Sequence, residues 1–385
     1  MKKIDYITFG KPLITKNQFK EIYSTLESGW IGTGPKVRKF ENLFSKYKNI
    51  DNSIAVNSCT AALHLSLLNL NLKNNDEVLV PALTFCSTIN AVIHSNLKPV
   101  LVDVDNETMN IDVNEIKKKI TKKTKAIIVV HLAGLSCDMK SIMNLANRYN
   151  LKVVEDCAHA IEGKYFNKPL GTFGDFGCFS FYVTKNITTA EGGMIITSKK
   201  LNAKKIKSSA LHGLSKDAWS RFSDKGYNHY YVNDLGFKYN MTDLNASLGI
   251  DQIKNIHSMW LKRKKVWDLY HKSFSNLKIK LPHNSFKNIK HSYHLFTIRI
   301  NKKNNKNNIN RDKFIQLMHK SKIGTGVHYL SIPEHPYYKS KYKWKVNDFP
   351  IAKRIGRETV SLPLSPYLTK NQLSYIIKNV KNILG

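Results

Sequence analysis

Three short stretches hold residue types that could share one chemical task. The first is Asn57-Ser58-Cys59-Thr60, which closes an apolar run and leads straight into Ala61-Ala62-Leu63-His64. A helix start presents unpaired N–H groups and partial positive charge, so this turn suits a phosphate, with the Ser58 and Thr60 hydroxyls as added donors. A plain N-cap is the alternative, since serine and threonine favour that position anyway. The second stretch is Glu155-Asp156, at the end of Leu151-Lys152-Val153-Val154, with His159 three residues on. A carboxylate there can cap the next helix, or supply the anionic partner that a protonated pyridine nitrogen needs. A metal site is the competing chemistry, but H-E-x-x-H and similar spacings are missing, and no metal is expected. The third is Lys185, which follows Phe179-Ser180-Phe181-Tyr182-Val183-Thr184 and precedes Ala190-Glu191-Gly192-Gly193, 29 residues after Asp156. A lysine is ordinarily a surface residue; one in a partly desolvated pocket can shed its proton and act as an amine nucleophile. Phosphate cup, ring-nitrogen partner and reactive amine together match the needs of pyridoxal 5'-phosphate held as a Schiff base on Lys185.

These residues need a scaffold that ends several segments at one place. From residue 53 onward, short apolar runs alternate with helical patterns. Strands are expected at 53–56, 77–80, 99–104, 125–131 and 151–155, with helices at 61–70, 84–94, 113–120 and 139–149. Such alternation implies a mainly parallel sheet with helices on its faces, and ligands then bind beyond the carboxyl ends of the strands. The runs 177–181 and 193–197 read as two more strands whose short connection suggests antiparallel pairing. Upstream, Thr15-x-x-Gln18 is a capping box, and Gly29 can close the helix after it. Beyond Met241 a long helix is expected over about 242–274, then a strand at 294–300, a helix at 311–321, a strand at 326–329 and a closing helix at 370–383. The reading is an α/β large domain over 1–250, with an N-terminal arm, and a smaller α+β C-terminal domain over 251–385.

Bulk composition narrows the class. The 385 residues carry a formal charge of +33, which raises the question of a nucleic-acid partner. The densest basic runs, 117–125 and 301–313, do not interleave aromatics as a base-stacking platform would. No nucleic-acid or membrane partner is expected, and the charge is read as solvated surface that can steer an anionic substrate. The five cysteines are odd in number and form no C-x-x-C pair, so no disulfide framework is expected. With no apolar run of membrane-span length and no signal peptide evident, a cytoplasmic enzyme is the expectation.

Ordered motifs across nearly the whole chain resemble the DegT/DnrJ/EryC1/StrS sugar aminotransferase family. They are Gly29-Trp30-Ile31-Gly32-Thr33-Gly34-Pro35, Thr60-Ala61-Ala62-Leu63, Asp76-Glu77-Val78-Leu79-Val80-Pro81 and Val154-Glu155-Asp156-Cys157-Ala158-His159-Ala160. Phe179-Ser180-Phe181, Thr184-Lys185-Asn186-Ile187-Thr188-Thr189, Glu191-Gly192-Gly193 and Ser361-Leu362-Pro363-Leu364 follow in order. The resemblance implies the aspartate-aminotransferase-like fold (fold type I) with a mainly parallel seven-stranded sheet, and a homodimer with shared active sites. It implies that Lys185 is the Schiff-base lysine, that Asp156 pairs with the pyridine nitrogen, and that His159 lies near the cofactor's phenolic oxygen. It further implies that Phe85 stacks on the ring, that Ser58, Cys59, Thr60 and Ser180 contact phosphate, and that Asn240 does so from the other subunit. Cys59 departs from the glycine or alanine of many members, but its backbone N–H still serves phosphate. Some relatives carry histidine in place of the lysine and perform dehydration; Lys185 argues against that here.

For the substrates, the resemblance implies L-glutamate and a nucleotide-linked keto sugar. Leu211-His212-Gly213-Leu214 with Asp217-Ala218-Trp219-Ser220-Arg221 looks like the subset acting on C4. The runs 291–296 and 324–329 are similar to enzymes that make UDP-4-amino-4-deoxyarabinose. His212, Arg221 and His328 are the expected substrate contacts, with ordinary structural or surface roles as their alternatives. C3 amination of a dTDP-3-keto-6-deoxy sugar, or a cofactor-binding regulator of the same fold, are the alternative functions.

Overall fold

The computed structural model describes residues 5–215, 229–284, 287–305 and 307–385. Its centre is a seven-stranded sheet. The first five strands are β1 (Asn52–Val56), β2 (Glu77–Pro81), β3 (Lys98–Val102), β4 (Thr124–Val130) and β5 (Lys152–Asp156). Two short strands, β6 (Lys164–Tyr165) and β7 (Lys168–Pro169), lie outside this sheet; β8 (Phe176–Ser180) and β9 (Gly193–Thr197) complete it. The order is β1-β9-β8-β5-β4-β2-β3. Only β9 runs against its neighbours; it pairs antiparallel with both β1 and β8. The expected antiparallel pairing of these two late strands is thus observed, within an α/β sheet that is otherwise parallel.

Both faces of the sheet are covered, as near-continuous apolar strands demand. Helices α1 (Lys16–Glu27), α2 (Pro35–Lys48), α3 (Cys59–Leu68), α4 (Cys86–His94), α5 (Val113–Lys119), α6 (Met139–Arg148) and α7 (Lys200–Ser209) precede the long α8 (Asp243–Phe274). On one face α3 is buried almost throughout, with Leu63, Leu65 and Leu67 packed near Val56, Val80 and Ile128. On the other, Phe40 and Phe44 of α2 meet Phe179 and Phe181 edge-on at 5.0–5.1 Å between ring centres. The first half of α8 packs into that second core through Ala246, Ile250 and Ile253, while Val266, Trp267, Tyr270 and Phe274 enter a third core. That third core also holds β11 (Phe296–Arg299), which follows the two-residue β10 (Ile289–Lys290), α9 (Arg311–Lys320) and α12 (Lys370–Leu384). Between α9 and α12 lie α10 (Pro336–Tyr342), α11 (Pro350–Glu358) and β12 (Thr359–Leu362), which pairs with β11. Ile332, Tyr338, Ala352 and Ile355 of this stretch pack back onto the first core.

The expected capping box is present: Gln18 N–H donates to Thr15 Oγ1, and the Gln18 side chain takes the Thr15 N–H. One expected element is not. Residues 326–329 form no strand; Gly326 makes an isolated bridge to Ser361 and the pairing stops there. The physical reason lies in the next two side chains. His328 and Tyr329 both line the same cavity, whereas consecutive residues of a strand face opposite sides. No described helix is long and apolar enough to cross a membrane.

Candidate active site

The parallel frame brings one set of chain ends to one edge of the sheet. There β1 runs into the turn before α3, β5 ends on Asp156, β8 ends on Ser180, and β9 begins at Gly193. A cavity of about 530 Å³ opens at this edge, within the size range of small-molecule sites. Ser58, Cys59, Thr60, Phe85, Asp156, His159, Ser180, Lys185 and His328 all line it, as do Thr84, Glu191 and Tyr329. Nine residues nominated from sequence are therefore gathered from segments spread over 270 positions of the chain.

Two other nominated residues are described and are not part of this wall. The His212 side chain is exposed, and His212 does not line the cavity. Asn240 sits beside the end of β1 through a bridge to Val56, with its amide donated to the Thr33 hydroxyl at 2.6 Å and its Oδ1 buried without a partner. Arg221, with the Asp217–Ser220 run before it, lies outside the described residues.

The turn before α3 does two things at once. Ser58 is the N-cap, accepting the Ala61 N–H at 3.1 Å, so the plain capping role is real. The same turn faces the cavity with the helix start behind it, which suits an anion. Its backbone can lie there because Gly193 carries no side chain: a Cβ at 193 would stand 2.5 Å from the Ser58 carbonyl.

The two acids of β5 divide their work by strand alternation. Asp156 faces the cavity; its Oδ1 accepts the Ala158 N–H at 3.1 Å and its Oδ2 the Thr88 hydroxyl at 3.0 Å. Burial nonetheless pushes its carboxyl above the ordinary value, against these bonds and the nearby Lys185. Glu155 is fully buried on the opposite side, where it accepts N–H groups of Gly171, Phe173 and Gly174 at 2.6–2.8 Å, and lies 3.1 Å from His131 Nε2. Burial acts to raise this carboxyl, but the His131 bond and the backbone donors outweigh it and hold it low. His131, Glu155 and Cys157 bring ligand-type atoms within 4.8 Å of one another. His131 Nδ1 already accepts the Cys137 N–H, so these groups read as a hydrogen-bonded lock on the end of β5.

Lys185 stands at the wall of the cavity just beyond β8. Burial pushes its ammonium down to about 8, against the opposing pull of Cys59 and Asp156. Its neighbour Asn186 is buried and anchors the turn: its amide donates to Glu162 at 2.8 and 3.0 Å and to the Ser292 carbonyl at 3.0 Å. Arg263 of α8 reaches the Asn186 carbonyl at 2.9 Å and pairs with Glu162 at 3.6 Å. The amine is thus carried on a loop tied to the long helix. Thr88, Asn186 and Tyr329 were not singled out from sequence. Thr84, just before the N-cap of α4, and Thr88 in its first turn bond each other at 2.9 Å.

The comparisons with known proteins agree with this geometry. The model of the DegT/DnrJ/EryC1/StrS aminotransferase family matches residues 12–381. An uncharacterized protein of Methanocaldococcus jannaschii is 44% identical over 375 residues, 97% of each chain. The spore coat polysaccharide biosynthesis protein SpsC of Bacillus subtilis is 38% identical over 384 residues, covering 100% of this chain and 98% of that protein. Among solved structures, Helicobacter pylori PseC, an aminotransferase involved in the biosynthesis of pseudaminic acid, superposes with a TM-score of 0.91 at 25% identity over 99% of both chains. The Streptococcus pneumoniae protein Spr1654 in its PLP form superposes with a TM-score of 0.89 at 31% identity over 98% of both. The seven-stranded α/β fold is the one these aminotransferases share, and the chain belongs to the DegT/DnrJ/EryC1/StrS aminotransferase family.

Proposed function

We propose that this chain is a pyridoxal 5'-phosphate-dependent aminotransferase that moves an amino group from L-glutamate to C4 of a UDP-linked 4-keto sugar in the synthesis of a cell-surface glycan. The observation that carries the reading is the single cavity holding a low-pKa lysine, a buried carboxylate and a helix start. The residues fit the cofactor: Lys185 would hold it through its amine, Asp156 would serve its ring nitrogen, and the Ser58–Thr60 turn with Ser180 would take its phosphate. Phe85, 54% exposed at the cavity wall, leaves a ring face free to cover the pyridine. When bound, the cofactor supplies an electron sink for the carbon that loses or gains a proton. Lys185, as a neutral amine at the cavity wall, would be the group that takes and returns that proton. His328 is assigned as a substrate contact; in support, it lines the cavity and its Nδ1 is held by the Ser361 hydroxyl at 2.8 Å.

The names of SpsC and PseC support a sugar substrate and a glycan product. A nucleotide diphosphate suits the strongly basic surface, which raises its encounter rate. A cytoplasmic homodimer completes the proposal. Phe19, Tyr23 and Leu26 give α1 an exposed apolar face, and Trp30 and Ile31 continue it, which suits a partner copy. His212, Arg221 and the partner's Asn240 are assigned to the shared site.

The test is incubation of the enzyme, cofactor and glutamate with UDP-, GDP- and dTDP-linked 3-keto and 4-keto sugars, read by mass. Conversion of a UDP-4-keto sugar, with ping-pong kinetics, is expected. Conversion of only a dTDP-3-keto sugar moves the amination to C3. Cofactor binding with no conversion of any sugar makes the chain a regulator. A second result is expected at the phosphate turn. Gly193→Ala pushes a methyl group into the Ser58–Cys59 backbone, and overpacking of this kind costs about 1–3 kcal/mol. Cofactor affinity in equilibrium dialysis should fall about tenfold.

A further inference from the structure

We infer that Tyr329, backed by His159, is the hydrogen-bond donor to the phenolic oxygen of the cofactor ring, and that His159 acts on that oxygen only through Tyr329. The inference rests on the cofactor reading above and changes one role within it. The argument is an accounting of protons. His159 Nδ1 accepts the Ala133 N–H at 3.3 Å, and an amide N–H can only donate. Ala133 sits at φ 58° in the turn that delivers this N–H, a conformation alanine seldom adopts. The imidazole is buried and held neutral, far below its ordinary pKa, first by burial and then by Lys185, His294 and His328. A neutral ring has one N–H, so that proton is on Nε2.

Nε2 lies 3.1 Å from the Tyr329 hydroxyl oxygen, and its proton is spent there. Tyr329 therefore accepts from His159 and keeps its own proton to give. That hydroxyl belongs to a residue lining the cavity that Lys185 and Asp156 share, and its ring centre is 5.6 Å from that of Phe85. The titratable groups around Tyr329 are His159 and His328, with ring centres 6.0 and 5.0 Å away, and Asp156, Cys86 and Cys59. The imidazole is itself clamped: the His294 ring packs against it at 4.4 Å, tilted by 32°, and His294 Nδ1 meets Asn186 Oδ1 at 2.9 Å. A fixed donor on one side and a free proton on the other make Tyr329 an aimed donor. The oxygen it suits is an anionic one beside the ring that Phe85 covers.

The experiment titrates the visible absorbance of the cofactor-loaded protein against pH. A donor to the phenolic oxygen favours its anionic form, so removing that donor raises the titration midpoint. Tyr329→Phe should raise it by about one pH unit. His159→Ala should raise it less, and His159→Gln, whose amide N–H can still donate to Tyr329, should lie closer to wild type than His159→Ala. An unchanged midpoint in folded Tyr329→Phe overturns the inference. So does a larger shift in His159→Ala than in Tyr329→Phe, which assigns the direct contact to His159. If Tyr329→Phe does not fold, the two His159 variants decide: a Gln variant no nearer to wild type than the Ala variant refutes the relay. A wild-type protein that gains no visible band with the cofactor refutes the cofactor reading, a result distinct from any of these.

Discussion

Replacing Lys185 with alanine should lower amino transfer by about 10⁴-fold, the upper end of what a positioned base contributes, and should remove the visible band of lysine-bound cofactor. The expectation follows from where burial has placed the amine. A pKa of about 8 in place of 10.5 makes the neutral form on the order of 10²-fold more abundant at neutral pH. In the proposed reaction that form is both the nucleophile and the proton carrier. Lys185→Arg separates charge from chemistry. Arginine restores a cation at the wall but cannot give up its proton, so it should be as inactive as alanine. Small primary amines added to Lys185→Ala should restore part of the rate, because the cavity left by the side chain still faces Asp156 and the Ser58 turn. Turnover within tenfold of wild type in the alanine variant, measured with the sugar that the panel identifies, would remove Lys185 from its role.

What the sequence made legible was what lies close together along it. The strands could be read because each is an apolar run bounded by turn residues, Asp156 because it ends one, and Lys185 because it closely follows one. The partners that make these residues work lie far away in the chain. Thr88 reaches Asp156 across 68 positions, and Arg263 reaches the loop of Lys185 across 77. Helix α2 is a sharper case. Its N-cap is Gly34, which offers no side chain, and no capping motif announces the helix. The cap comes instead from Asp243, whose carboxylate accepts the N–H groups of Gly34, Lys36 and Val37 at 2.8–2.9 Å, more than 200 residues later in the chain. The same carboxylate belongs to the first turn of α8, so one side chain fixes two helices that border the second core. His328 and Tyr329 show the opposite failure. Their local pattern reads as a strand, and the cavity overrules it by drawing both side chains to one side.

Asp156→Asn should have two effects of opposite sign. Transfer should fall by about 10²–10³-fold, the scale seen when one preorganised electrostatic partner is removed, because asparagine cannot hold a proton on the ring nitrogen. Stability without cofactor should rise. Burial raises the Asp156 carboxyl above its unfolded value of 3.8, so over the window from 3.8 up to the raised value the folded chain binds more protons than the unfolded one. Stability then falls as pH climbs through that window, and above it the cost of the buried charge is present. Asparagine has no such charge, and its amide can keep both the Ala158 and the Thr88 contacts. Cofactor-free Asp156→Asn should therefore melt above cofactor-free wild type at pH 7, with the gap closing below pH 3.8. Adding cofactor should reverse the order, because only the carboxylate meets a ring cation that offsets its burial. Thermal melts of both proteins, with and without cofactor at the two pH values, read all of this. A cofactor-free variant less stable than wild type at pH 7 would show that the carboxylate is held by the fold for structure, and would take Asp156 out of the ring-nitrogen role.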